Sequence, residues 1–143
     1  MANEYGVFNQ GSVVLEYWNG VITLNELLKH EAQQREDALI EKQSMVIVDC
    51  RDALFDVDQA GVEIFSQRIL ARQAYTFIKV ALLINANTWE LASNYSDYFW
   101  GSDNLVMSFH SLEAASVWLE LDSKNVEKRL IKLKQICLNE HVI

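Results

Sequence analysis

A single α/β domain, with a mixed or parallel sheet of about five strands flanked by helices and an extra C-terminal helix, is the fold class this sequence predicts. Three observations carry it. Short apolar runs, clearest at 77–84 and 105–109, alternate with segments of helical period, the arrangement that covers a sheet with helices. Half of the 143 residues are apolar, enough to build one real core. Proline is absent, and no low-complexity linker or internal repeat marks a second domain.

Each element has its own signal. Residues 5–8 and 12–17 predict two strands joined around Gly11 as a hairpin. Gly20 then punctuates the chain, and Thr23-Leu24-Asn25-Glu26 is a capping box, in which hydroxyl and carboxylate satisfy the first amides of a helix. That helix puts Leu24, Leu27, Leu28, Ala32 and Leu39 on one side, with Glu31, Arg35, Glu36 and Asp37 in solvent. Residues 45–48 are apolar at consecutive positions, which marks a strand covered on both faces. A charged loop follows, and Asp56 or Asp58 caps a second helix to about residue 74, with Val62, Phe65, Ile69 and Gln73 inward. Beyond the strand at 77–84, whose one charge is Lys79, Asn87 caps a third helix, with Glu90 three residues on. It runs to about Trp100 and is stopped by Gly101. Ser111 caps a short helix holding Ala114, Ala115, Trp118 and Leu119. Past Asp122, Val126, Leu130, Leu133 and Cys137 follow one another at helical spacing and predict a tail helix.

Charge narrows the partners. A net charge of −8 argues against general nucleic-acid binding, which needs a positive surface. The exception is the tail at 122–143, where Lys124, Lys128, Arg129, Lys132 and Lys134 outnumber Asp122, Glu127 and Glu140. Its basic side is expected against an acidic surface of its own body or of a second copy, a homodimer. The longest apolar run, 80–84, is too short to cross a bilayer, and M-A-N-E-Y-G has neither a basic start nor an apolar core. The expectation is a cytoplasmic protein whose Cys50 and Cys137 stay reduced.

The densest polar chemistry lies at 46–61, V-I-V-D-C-R-D-A-L-F-D-V-D-Q-A-G, at the C-terminal end of a central strand, where open α/β sheets bind ligands. Cys50 is expected as a packed thiol. A cysteine phosphatase needs an arginine six positions on, where Asp56 stands, and neighbouring carboxylates raise a thiol pKa. The stretch from Asp56 starts like a calcium loop but fails at Ala60 and at Gln67, where a bidentate glutamate is required. One aspartate is expected to cap the helix and one to pair with Arg51. His30, His110 and His141 lack zinc spacing, Ser66 and Ser111 read as a surface residue and a cap, and no phosphate-binding or nucleophile-elbow motif is present. Enzyme activity, metal and cofactor are therefore not expected. Trp89, Tyr95, Tyr98, Phe99 and Trp100 are denser than one helix needs. With Ala92, Tyr95 and Phe99 on the sheet, Tyr98 and Trp100 fall toward a rim where large aromatics mark contact surfaces or seal the core.

Two stretches resemble a known family. V-I-V-D, the charged loop and a helix opening D-Q-A-G resemble the anti-sigma-factor antagonist fold, the STAS domain. F-H-S-L-E-A-A-S-V-W-L, at 109–119, is similar to the closing strand and helix of its SpoIIAA-like branch, where a Phe precedes an acidic-Ala pair and a terminal Trp-Leu. With Gly20 and the Thr-capped helix, the resemblance spans roughly residues 5–121 and leaves 122–143 outside it as a helix packing on the domain or on a dimer partner. Phosphoregulated STAS domains carry serine in a D-S-S-G-like turn. Aligned on Asp58 and Gly61, the serine places hold Gln59 and Ala60, so the phosphoswitch the resemblance would imply is missing. The branch is grouped by fold with lipid-carrying domains, which implies a ligand pocket. The leading expectation is a non-enzymatic regulatory module that meets a protein partner through Asp52, Asp56, Asp58, Gln59, Tyr98 and Trp100. The alternative is a carrier of a small apolar molecule or lipid, held between the sheet at 80–84 and Val62, Phe65 and Ile69 of the second helix.

Overall fold

A computed structural model describes residues 2–72 and 78–139. Within them, five strands form one sheet in chain order: β1 (Asn3–Phe8), β2 (Val13–Thr23), β3 (Met45–Asp56), β4 (Lys79–Leu83) and β5 (Leu105–Phe109). β1 runs antiparallel to β2 because a short turn, Asn9–Gly11, joins them. Gly11 takes φ +94° there, and a Cβ on it would meet the Leu39 carbonyl oxygen at 2.5 Å, so only glycine fits. The remaining neighbours are parallel, each reached through a crossover.

Strand alternation sorts the core into two layers. Val13, Leu15 and Tyr17 of β2, with Ile47, Ala81 and Leu83, face α4 (Leu112–Trp118) and α5 (Ser123–Asn139). The tail helix docks on its own sheet through Val126, Leu130, Leu133 and Cys137, all buried. Val14, Glu16 and Trp18 point the other way, toward α1 (Leu24–Arg35), α2 (Gln59–Leu70) and α3 (Trp89–Asp97). Caps form largely where hydroxyls and carboxylates predict them. Thr23 and Glu26 make the capping box, the Asp58 carboxylate accepts from the Gly61 amide at 2.8 Å, and Ser111 Oγ accepts from the Ala114 amide at 3.2 Å.

Several expectations need correction. The charged stretch after Val48 is not a loop: β3 continues to Asp56 alongside β2, and Gly20 lies inside β2 rather than ending it. Between the Tyr17–Asp49 and Asn19–Asp52 pairs, β3 sets two residues, Cys50 and Arg51, against Trp18 alone of β2, a bulge that hides the strand period. β4 pairs with β3 only as far as Asp49, and there the Asn85 side-chain amide takes over, donating to the Arg51 carbonyl at 2.8 Å and lying near those of Cys50 and Ala53. α1 ends at Arg35, so Leu39 is exposed, and its buried stripe is Leu27, His30, Glu31 and Gln34. Glu31, expected in solvent, is wholly buried. It accepts from Arg72 Nε at 3.1 Å and from Arg35 Nη1 at 3.2 Å. Ser66 is buried too, its hydroxyl returned to the Val62 carbonyl at 2.7 Å. α3 is entered at Thr88, not Asn87, and ends at Asp97. The inward place of Gln73, the helix end at 74 and the strand start at 77 lie outside the described residues.

Candidate functional site: a pocket under three helices

A pocket of about 100 Å³ opens between the sheet and α1, α2 and α3. Its apolar walls are Val46 of β3, Val80 and Leu82 of β4 and Ile84 just past it, with Val62, Phe65 and Ile69 from α2. α2 is held close by its own start: a Cβ on Gly61 would meet Val57 Cγ1 at 2.7 Å, so the D-x-x-G turn admits only glycine without a shift. Tyr95 of α3 adds a ring that stacks on Phe65, centroids 5.6 Å apart, and meets Phe99 edge-on at 4.9 Å.

One end of the pocket is polar. Glu16, 5% exposed, accepts from Trp18 Nε1 at 3.1 Å and Gln34 Nε2 at 2.7 Å, and its Oε1 lies 3.1 Å from His30 Nε2. Burial pushes the Glu16 carboxyl up, but the facing imidazole and these hydrogen bonds outweigh it and hold the group below the ordinary glutamate range. His30 in turn is fixed by Asn3, whose side-chain amide lies 2.7 Å from Nδ1, and by Tyr5 and Trp18, which meet its ring edge-on. Cys50 lines the same space, buried; burial first, then the charges of Glu16 and Asp49, pushes its thiol well up, which disfavours thiolate chemistry.

Sequence reasoning identified Val62, Phe65, Ile69 and the 80–84 strand as pocket walls, and it missed Glu16, Gln34 and the role of His30. The predicted contact residues separate. Asp52, Asp56, Asp58 and Gln59 gather at the C-terminal end of β3 and the start of α2, whereas Tyr98 and Trp100 lie past the end of α3, on the way back to the start of β5 and hence at the opposite end of the sheet. Asp52 is engaged from within: it accepts from the Tyr17 hydroxyl at 2.7 Å, the main reason its carboxyl sits below the usual range, and pairs with Lys134 of the tail at 3.1 Å. Asp49 holds Arg51 through two hydrogen bonds of 2.9 Å, and Asp58 is the α2 cap. Asp56 and Gln59 face solvent, and Trp100 is 92% exposed. No group of three or more His, Cys, Asp or Glu among the described residues is arranged to hold a metal ion.

No protein-family model and no curated protein matches the sequence. Among solved structures, the chain is similar to an uncharacterized protein of the DUF3478 family from Shewanella loihica PV-4, described as having a SpoIIAA-like fold. The two superpose with a TM-score of 0.58 over 82% of this chain and 94% of that one, at 11% sequence identity. The chain has a SpoIIAA-like fold. At that identity the likeness fixes the architecture and not the activity, and the pocket residues of this SpoIIAA-like chain must be judged by their own chemistry. No helix among the described residues is long and apolar enough to cross a membrane.

Proposed function

We propose that this SpoIIAA-like chain is a non-enzymatic binding module that takes up a small apolar molecule in the pocket between its sheet and α2. The observation that carries the reading is the pocket itself: apolar side chains from strands and helix enclose it, and a few polar groups converge at one end, the composition of small-molecule sites. An apolar cavity of about 150 Å³ takes benzene, so about 100 Å³ suits a smaller apolar molecule or the end of a short chain that continues through the opening. The groups that would serve catalysis are committed elsewhere. Cys50 is a buried thiol with a raised pKa, and Asp49, Asp52 and Asp58 hold Arg51, Lys134 and a helix start. Native mass spectrometry of gently purified protein tests it. Extra mass that disappears on denaturation supports the reading and gives the ligand class by weight, and a bare chain from every preparation counts against it.

One observation favours a regulatory protein contact as a second reading: Trp100 is 92% exposed and Trp89 56%, unusual for the side chain richest in contact energy at interfaces. The acidic half of the expected contact surface supports it less, since Asp52 and Asp58 already have internal partners. Pull-down by the wild-type chain of a protein that a Trp89→Ala, Trp100→Ala double variant fails to retain is the expected outcome of this second reading; equal retention removes it.

A further inference from the structure

We infer that the outer edge of β5 is a dimerisation strand: it pairs antiparallel with β5 of a second copy about a two-fold axis at Met107, joining two sheets into one. This goes beyond the pocket and does not depend on it. β5 ends the sheet, with β4 on one side and no strand on the other among the described residues. Its phase is fixed by its bonds to the neighbouring stretch. The Leu105 amide donates to the Ile78 carbonyl at 3.0 Å, and the Phe109 carbonyl accepts from the Ile84 amide at 3.0 Å. Leu105, Met107 and Phe109 therefore turn their main chain toward β4, and Val106 and Ser108 turn theirs outward. The two edges of the sheet are defended differently. β1 is part-buried along its length, carries Glu4 and has Arg129 over the Phe8 ring. β5 holds no charge and no proline, and it leaves Leu105 51% and Met107 46% exposed.

A second copy of the same strand fits this edge. In an antiparallel pair, opposed residues exchange both main-chain bonds at every other position. With the axis at Met107, Val106 opposes Ser108 of the second copy and Ser108 opposes its Val106. Every outward amide and carbonyl of these two residues then finds a partner. Met107 meets Met107 at the closer, non-hydrogen-bonded position, and Leu105 meets Phe109 on the same face, which covers the exposed apolar side chains. Charge favours the same place. A chain of net charge −8 repels its copy over most of its surface, whereas residues 104–112 hold no acidic, lysine or arginine side chain. Two five-residue strands cover less than the roughly 1,600 Å² of a standard interface, so the dimer is reversible.

Sedimentation velocity of the full chain over a dilution series reaching about 100 µM tests the pairing. Wild type is expected to sediment as a dimer at the top of the series and as a monomer at the bottom. Met107→Lys and Met107→Glu each set like charges across the axis and are expected to weaken dimerisation by at least about tenfold. An equimolar mixture of the two variants sets opposite charges there and is expected to restore the dimer, which also shows that both are folded. Ser108→Pro removes an outward amide that β4 does not use. It is expected to abolish the dimer with an unchanged far-ultraviolet circular dichroism spectrum. A monomer at every concentration overturns the inference and leaves the edge to an extended peptide of another protein. A dimer that survives Ser108→Pro and both Met107 variants, or a mixture that stays monomeric, overturns it as well.

Discussion

Glu16 and Glu31 bring two carboxylates into the interior by different means, and each has a measurable signature. Glu16 is held ionised by an imidazole and hydrogen-bond donors, so its folded pKa lies below its unfolded one. The stability it contributes is present above the ordinary glutamate value of about 4.3 and is lost as the pH falls through the lowered folded value. Denaturant titrations between about pH 6 and pH 3 are expected to show wild type losing more stability than Glu16→Gln. Equal slopes would mean that Glu16 is not held ionised. Glu31 forms a buried ion pair with Arg72, whose side chain is 1% exposed. Glu31→Ala removes the carboxylate paired with that buried guanidinium and is expected to cost about 3–5 kcal/mol in urea unfolding. Both residues carried a sequence signal of geometry rather than hydrophobicity. Glu16 stands between Val14 and Trp18 at the inward phase of β2, and Leu27, His30, Glu31 and Gln34 follow the spacing of a helical inner stripe. A search for apolar stripes passes over them because the buried face is polar, and only the fold brings their partners together.

Among the elements, β3 is where local preference and tertiary context disagree. Three aspartates in eight residues are poor strand formers, and the bulge at Cys50–Arg51 breaks the period, so residues 49–56 read as a loop. Pairing with β2 and the carbonyl contacts of Asn85 overrule that preference. Asn85→Ala is accordingly expected to destabilise by about 1–3 kcal/mol, measured by urea unfolding, because carbonyls at the bulge lose their donor. At the next element, Asp58→Ala removes the α2 cap and is expected to cost about 1 kcal/mol by the same assay. β5 and the caps of α1 and α4 were legible because short-range chemistry decides them: a short apolar run, a capping box and a serine cap. The entry to α3 was not, because Thr88 turns its hydroxyl to the Asn85 amide instead of to its own helix.

Across the whole molecule, the sheet divides the protein into a closed layer under α4 and α5 and a hollow one under α1, α2 and α3. The basic tail is engaged partly by its own body, Lys134 by Asp52 and Arg129 over the Phe8 ring at 4.2 Å. Both cysteines are buried, so alkylation by iodoacetamide at neutral pH is expected to be slow until the chain unfolds; rapid labelling of the native protein would contradict the packing of Cys50 and Cys137. The fold was readable as a class because periodicity and caps act locally. The pocket was readable only through its apolar walls, since its polar end joins residues far apart in sequence.

The central claim is that the hollow layer accepts apolar ligands, and xenon tests it most directly, since dry apolar cavities take it up. Crystals pressurised with xenon are expected to show an atom among Val46, Val62, Phe65, Val80 and Leu82. Diffraction from the same crystals with no xenon in that space would contradict the account.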